Sequence, residues 1–209
     1  MYAKFGKRVC DLVIGVVALP FVLLIIAVLA PFIHFEDKGP VFYNAPRVGL
    51  GGRDFKMYKL RSMRVNAPDL VMEDGSTYNG ADDPRMTRVG AFMRKTSLDE
   101  IPQFFNVLKG DMSFIGPRPF LDYELDALDE KSMRRHDVLP GLSGLAQVSG
   151  RNEITVDRKI AKDLEYVDKI SFALDAKIFF LTLVKVVFCV DSTPVNKNTV
   201  EKYSKGGRR

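Results

Sequence analysis

The sequence predicts an α+β chain, mainly helical, with a membrane element at its N-terminus. Two observations carry this. Residues 12–33 contain no charged side chain, and helical patterns at about 85–108, 121–135, 155–168 and 171–190 outweigh one hairpin-like region near 41–63. No repeat, low-complexity block or linker divides the remainder. The reading is therefore a membrane element over 1–35, one domain over 36–191 and a polar tail over 192–209.

The apolar run is long enough to cross a bilayer, which takes about 20 residues. It is too long for a signal-peptide core and runs on into Pro31, Phe32 and Ile33 instead of ending in a cleavage site. Lys4, Lys7 and Arg8 precede it; Lys38, Arg47, Arg53, Lys56, Lys59, Arg61 and Arg64 follow it. The positive-inside tendency keeps both flanks in the cytoplasm, which a single span does not satisfy. Pro20, mid-run, removes a backbone donor and bends a helix. A re-entrant hairpin turning near Pro20 and a spanning helix with a proline kink both fit. Asp11 is expected to pair with Arg8 one turn earlier, and His34 reads as an interfacial polar residue.

After the membrane element, VFYNAPRVGLGGRDFKMYKLRSM places β-branched and aromatic residues either side of a glycine-rich turn. Residues 66–84 read as a polar loop, and one helix is expected over 85–108. GPRPF at 116–120 is a rigid turn. The stretch 121–135 is acidic early and basic late, as a helix dipole favours. Turns and short strands fill 137–152. The helix over 171–190 carries Asp175, Lys177 and Lys185 among apolar residues and fits either a core helix or an amphipathic interfacial one.

Composition limits the partners. There are 31 basic and 26 acidic residues, a net charge of +5. That points to an anionic partner: phospholipid, phosphorylated substrate or nucleic acid. The acids interleave with the bases and no nucleic-acid motif is present, so nucleic acid is set aside. A hydrophobic share of 46% excludes a disordered chain, and two cysteines, Cys10 and Cys189, form neither a zinc site nor a disulfide framework.

Three constellations carry candidate chemistry. Asp99 and Glu100 are adjacent carboxylates after the basic pair Arg94-Lys95. Neighbours on a helix point about 100° apart, so the two acids would divide labour between nucleophile or metal ligand and orientation or proton handling. Locally, Ser97-x-x-Glu100 is also a capping box, the simpler reading there, although Pro102 disturbs its register. Lys59 and Arg61 alternate, so a strand would put both cations on one face. Arg118, between Pro117 and Pro119, starts from a nearly fixed backbone that suits phosphate recognition; an isolated turn of this kind is more often only surface. PGLSGLAQVSGRN at 140–152 has glycines for close approach but matches neither nucleotide-binding loop. Asp82-Asp83 before Pro84 reads as a turn starter, and His136 as structural.

Taken in order, YKLRSM, DDPRMTRVGAFMRKTSLDEIPQFFNVLKGDMSFIGPRP and PGLSGLAQVSGRN resemble the bacterial sugar transferase family, the monotopic phosphoglycosyl transferases, in its minimal catalytic form. The resemblance spans nearly the whole chain. It implies a re-entrant hairpin broken at Pro20, amphipathic interfacial helices, and a catalytic domain on the cytoplasmic face of a bacterial inner membrane. It implies transfer of a sugar-1-phosphate from a UDP-sugar to polyprenol (undecaprenyl) phosphate, with Mg²⁺ and release of UMP, as the first membrane step in building a glycoconjugate. Asp99 would be the nucleophile and a metal ligand, with Glu100 beside it. Lys59, Arg61, Arg94 and Arg118 would line the site, and Gln147, Arg151 and Asn152 are assigned to substrate contact. Family members often carry Ser-Pro at the break, where this chain has Leu19-Pro20. The competing reading is a non-enzymatic scaffold that binds anionic lipid. The sugar, the pathway and any homo-oligomer are not readable from one sequence.

Overall fold

Leu12 to Ile33 form the middle of one helix, α1 (Lys7–Asp37), preceded by a π-helical turn at Tyr2–Gly6. A computed structural model describes residues 2–68, 70, 83–125, 128–150 and 154–187. Arg151, Asn152 and the tail over 192–209 lie outside the described residues. The break expected at Pro20 is not an interruption: α1 runs unbroken through Pro20 and Pro31 to a left-handed Lys38. Pro20 removes one backbone donor, and the helix continues across it.

α1 has little protein to bury against. Val13, Val16, Val17, Phe21, Leu24 and Val28 are exposed, whereas Lys7, Asp11, Gly15, Val22 and Ile33 are buried. By length and composition the helix could cross a membrane. Yet both its ends are fixed to the same body. At the first, Lys7 Nζ lies 2.7 Å from Asp175 Oδ2, and Arg8 donates to the carbonyls of Val107 and Leu108. Asp11 accepts from Ser113 Oγ and Phe114 N, both at 3.0 Å, and so does not pair with Arg8 as expected. The guanidinium of Arg8 is taken by carbonyls at the end of another helix, where cations are favoured. At the far end, Asp37 meets Arg61, and the Glu36 carboxylate accepts from the backbone N–H groups of Arg88 and Val89.

The expected hairpin is present. β1 (Phe42–Val48) pairs antiparallel with β2 (Asp54–Leu60), from Phe42↔Leu60 to Val48↔Asp54. Its turn needs glycine, since Gly51 and Gly52 have φ of +64° and +74°. The helix expected over 85–108 is divided into α2 (Arg88–Thr96), a 3₁₀ turn at Leu98–Glu100 and α3 (Gln103–Lys109). Ser97, with φ 58°, ends α2, and Pro102 starts α3. β3 (Ser113–Ile115) follows. Within 121–135 the described helices are short: α4 (Asp122–Leu125) and α5 (Glu130–Met133). β4 (Gly141–Ser143) pairs parallel with β3. Where only turns and strands were expected next, α6 (Leu145–Gly150) forms, because Leu145 and Val148, one turn apart, pack on the core. α7 (Val156–Lys169) and α8 (Phe172–Val187) complete the described residues.

The main core gathers Met57, Val107, Met112, Phe114, Ile115, Tyr166 and Ile178; a second cluster joins Ile33 of α1 to Leu60 and Met93. α8 packs on the core along one face. Ile178 and Asp175 are buried, while Phe172, Phe180, Leu183 and Val184 face outward on an apolar surface.

Candidate active site

The acid pair is positioned by the close packing of α2 against the end of β2. Thr87 caps α2, its side chain accepting from Gly90 N at 2.9 Å. A Cβ on Gly90 would lie 1.8 Å from the Ser62 carbonyl oxygen, so only glycine lets the helix come this near. At the other end, left-handed Ser97 redirects the chain into the 3₁₀ turn. That conformation costs a non-glycine residue about 1 kcal/mol, and it falls two residues before Asp99. The capping box does not form: Ser97 makes no side-chain cap, and Glu100 reaches elsewhere.

Glu100 Oε1 accepts from Lys59 Nζ and from Arg118 Nη2, each at 3.0 Å. Burial pushes the Glu100 carboxyl up, but the charges and hydrogen bonds of Lys59 and Arg118 outweigh it and hold the group well below the usual carboxylate range. Asp99 is different. It is 7% exposed and accepts no hydrogen bond from any described residue. Burial raises its carboxyl, the Glu100 charge adds to this, and Lys59, Arg94 and Arg118 offset only part. The two carboxylates thus sit in opposed environments, one pinned by cations and one left open for a ligand.

The cations are themselves held. Arg94 donates to Ser62 Oγ at 3.3 Å and lies 3.9 Å from Asp83, which is already paired with Arg85 at 2.7 Å. The Asp83-Pro84 step is indeed a turn, with Met86 N donating to Asp83 O. The 116–120 turn is fastened by Gly116 N to Ser143 O and Gly141 N to Pro117 O. Arg135, buried beside Phe120 with its guanidinium 3.4 Å from the ring centroid, donates to the Arg118 carbonyl and pairs with Asp163.

Asp99, Glu100, Lys59, Arg94 and Arg118 therefore come together as expected. Arg61 does not. Its five N–H donors are consumed by Asp37 and by the carbonyls of Pro40, Met63 and Ile33, leaving none for a phosphate. β2 ends at Leu60, so the alternation that aligned Lys59 with Arg61 does not continue. Gln147 packs against Gly144 with both amide atoms buried and unpaired. Two residues were missed. Arg135 positions Arg118. Arg47 shares a hairpin face with Lys59, four residues along from the Tyr43↔Lys59 pair, and burial, then the Arg118 charge, lowers its pKa. The alternation of β1 was the signal that could have found Arg47.

No group of three or more His, Cys, Asp or Glu side chains placed to hold a metal ion occurs among the described residues. Mg²⁺ does not require one. It binds through one or two carboxylates plus substrate phosphates. An open, buried Asp99 carboxylate meets that description.

A long apolar helix docked on an α+β body, beside an acid pair ringed by cations, is compatible with a membrane-associated protein. The chain belongs to the bacterial sugar transferase family, which it matches over residues 2–189. It is 43% identical to galactosyl transferase CpsE of Streptococcus agalactiae, over 87% of this chain and 42% of that protein. It is 39% identical to the uncharacterized sugar transferase EpsL of Bacillus subtilis, over 96% of both chains. It is 40% identical to the UDP-glucose:undecaprenyl-phosphate glucose-1-phosphate transferase of Xanthomonas campestris, over 89% of this chain and 40% of that protein. The chain thus spans about two fifths of the first and third relatives and nearly all of the second.

Proposed function

We propose that this protein transfers a sugar-1-phosphate from a UDP-sugar to polyprenol phosphate. The observation that carries this is the buried Asp99 carboxylate, open to a ligand beside a Glu100 pinned by Lys59 and Arg118. An Asp99 oxygen attacks the phosphorus attached to the sugar. The bond from that phosphorus to the bridging oxygen breaks, and UMP leaves with the electron pair. A phosphate oxygen of the lipid acceptor then attacks the phosphosugar-aspartyl ester. The Asp99–phosphorus bond breaks, restoring the carboxylate and yielding a polyprenyl diphosphate sugar. Glu100, held ionised, orients its neighbour, while Arg118, Lys59 and Arg94 offset the charge of two anions brought together. Mg²⁺ held at Asp99 and the substrate phosphates would supply further charge neutralisation. Gln147, with Arg151 and Asn152 beyond the described residues, is assigned to the nucleotide side.

The same reading makes the protein monotopic, with α1 re-entering one leaflet of a bacterial inner membrane from the cytoplasmic face. It is supported by the two ends of α1 docking on one body while its middle is exposed and apolar. Straight, a 31-residue helix is about 46 Å long, and a span would carry one end away from that body. The product would enter glycoconjugate assembly, with phospholipid as the surrounding partner.

The test is UMP release from a panel of UDP-sugars with purified protein, Mg²⁺ and undecaprenyl phosphate, beside Asp99→Asn. Release with one donor, lost in the variant although it remains folded and membrane-bound, is the expected result. Equal release from Asp99→Asn would remove Asp99 from the mechanism. Lipid binding with no UMP from any donor would favour a scaffold.

A further inference from the structure

Arg47 is a cation near the acid pair whose charge the fold does not use. It stands on the hairpin face that carries Lys59, since Arg47↔Phe55, Ala45↔Met57 and Tyr43↔Lys59 are directly paired. Lys59 Nζ and Arg118 Nη2 meet at one Glu100 oxygen, so the Arg118 guanidinium lies over that face too. The backbone fixes the approach. Val48 N, next in the chain to Arg47, donates to Phe120 O at 2.9 Å and ties the end of β1 to the turn that holds Arg118.

Two guanidiniums brought together repel, and burial adds to the cost. Attraction to Tyr43, Glu124 and Tyr123 is smaller, and Glu124 Oε2 is taken by Leu121 N at 2.7 Å. Among the described residues, the Arg47 side chain makes one hydrogen bond, back to the Pro46 carbonyl at 2.7 Å. Arg118 gives Nη2 to Glu100, and its other nitrogens bond no described residue. A crowded pair of cations with spare donors is completed by an anion. Position says which. Asp99 and Glu100 mark the attacked phosphorus, and Arg118 adjoins them. Arg47 lies beyond, four residues or about 13 Å along the strand from the Lys59 pair. In a nucleoside diphosphate sugar, the next group beyond the attacked phosphorus is the phosphate on the nucleoside side, which gains charge as it departs.

We propose that Arg47 and Arg118 clamp the nucleoside-side phosphate of the donor, with Arg47 a further substrate-binding residue that stabilises the departing UMP. The inference rests on the transferase reading and deepens it. In the full-length protein, exchange of labelled UMP into the preferred UDP-sugar needs no acceptor. It is measured beside inhibition of the full reaction by added UMP and saturation with undecaprenyl phosphate. Arg47→Gln is expected to raise the UDP-sugar KM and the UMP inhibition constant roughly tenfold each, with the undecaprenyl phosphate KM unchanged. Arg47→Lys, a point charge without a planar fork, should restore part of the loss. Thermal unfolding separates binding from packing. Arg47→Gln removes a repelled, half-buried charge, so its midpoint should equal or exceed that of the unaltered protein. Arg53→Gln takes a cation from the exposed turn of the same hairpin and should leave all three constants unchanged. Unchanged UMP inhibition in Arg47→Gln, or a weakening matched by Arg53→Gln, overturns the inference alone. So does a rise confined to the undecaprenyl phosphate KM, which would give the clamp to the acceptor. A lowered midpoint with all three constants shifted alike would make Arg47 a packing residue and overturn it too. No exchange in the unaltered protein overturns the transferase reading and this subsite with it.

Discussion

Removing the Arg135 guanidinium leaves Asp163 charged and without its partner inside the fold, where both side chains are at most 3% exposed. Breaking such a pair costs about 3–5 kcal/mol, whereas replacing both members by apolar groups is often nearly neutral. Arg135→Met is therefore expected to lower unfolding stability by about 3 kcal/mol in denaturant titrations. Arg135→Met/Asp163→Leu should recover most of that. Turnover should not recover in the double variant, because the Arg118 carbonyl has still lost its donor. Recovery of full kcat would show that Arg135 has only a packing role. Such a residue is hard to read from sequence. Asp99, Glu100 and Arg118 stand out through adjacent acids and flanking prolines, but Arg135 lies in Met-Arg-Arg-His, where nothing local separates it from exposed Arg134. Its role depends on a partner 28 positions away, and pairing at that distance leaves no mark on the spacing.

α2 is the element that converts close packing into site geometry. Gly90→Ala would drive a Cβ into the Ser62 backbone, which cannot yield as a side chain can. The expected loss is about 3 kcal/mol of stability, together with activity, checked by thermal unfolding beside UMP release. The tether at the start of the domain answers to pH. Hydrogen bonds from Arg61 hold the Asp37 carboxyl below its usual value, against a smaller upward push from burial. A carboxylate depressed in the fold stabilises above its unfolded pKa, near 3.9, and that stability is lost as pH falls through the folded value. The Asp37→Asn variant should thus be less stable than the parent at neutral pH, with the difference shrinking in acid below about pH 4; a pH-independent difference would exclude the ion pair as the cause. The hairpin and the helices near 156 and 172 were legible because their periodicities run uninterrupted. The division of 85–108 was not, since Ser97 is not a residue that announces a left-handed turn.

For the whole molecule, the central question is which way α1 meets the bilayer. Cysteines placed at Phe5 and Phe35, in a background lacking Cys10 and Cys189, should both react with an impermeant thiol reagent from the cytoplasmic side only. Labelling of the two from opposite sides would establish a span instead. The charge pattern at both flanks predicts that both ends stay in the cytoplasm, and the salt bridges that tie those ends to one body left no mark in that pattern. Glu36 adds a further consequence. It belongs to the last turn of the membrane helix, yet its carboxylate closes the first turn of the helix that leads to Asp99. Anchorage and competence are thereby interlocked. A chain whose first helix has not seated leaves the first two N–H groups of α2 without their carboxylate, so the start of the helix that carries Arg94 and leads to Asp99 is loosened until α1 is in place.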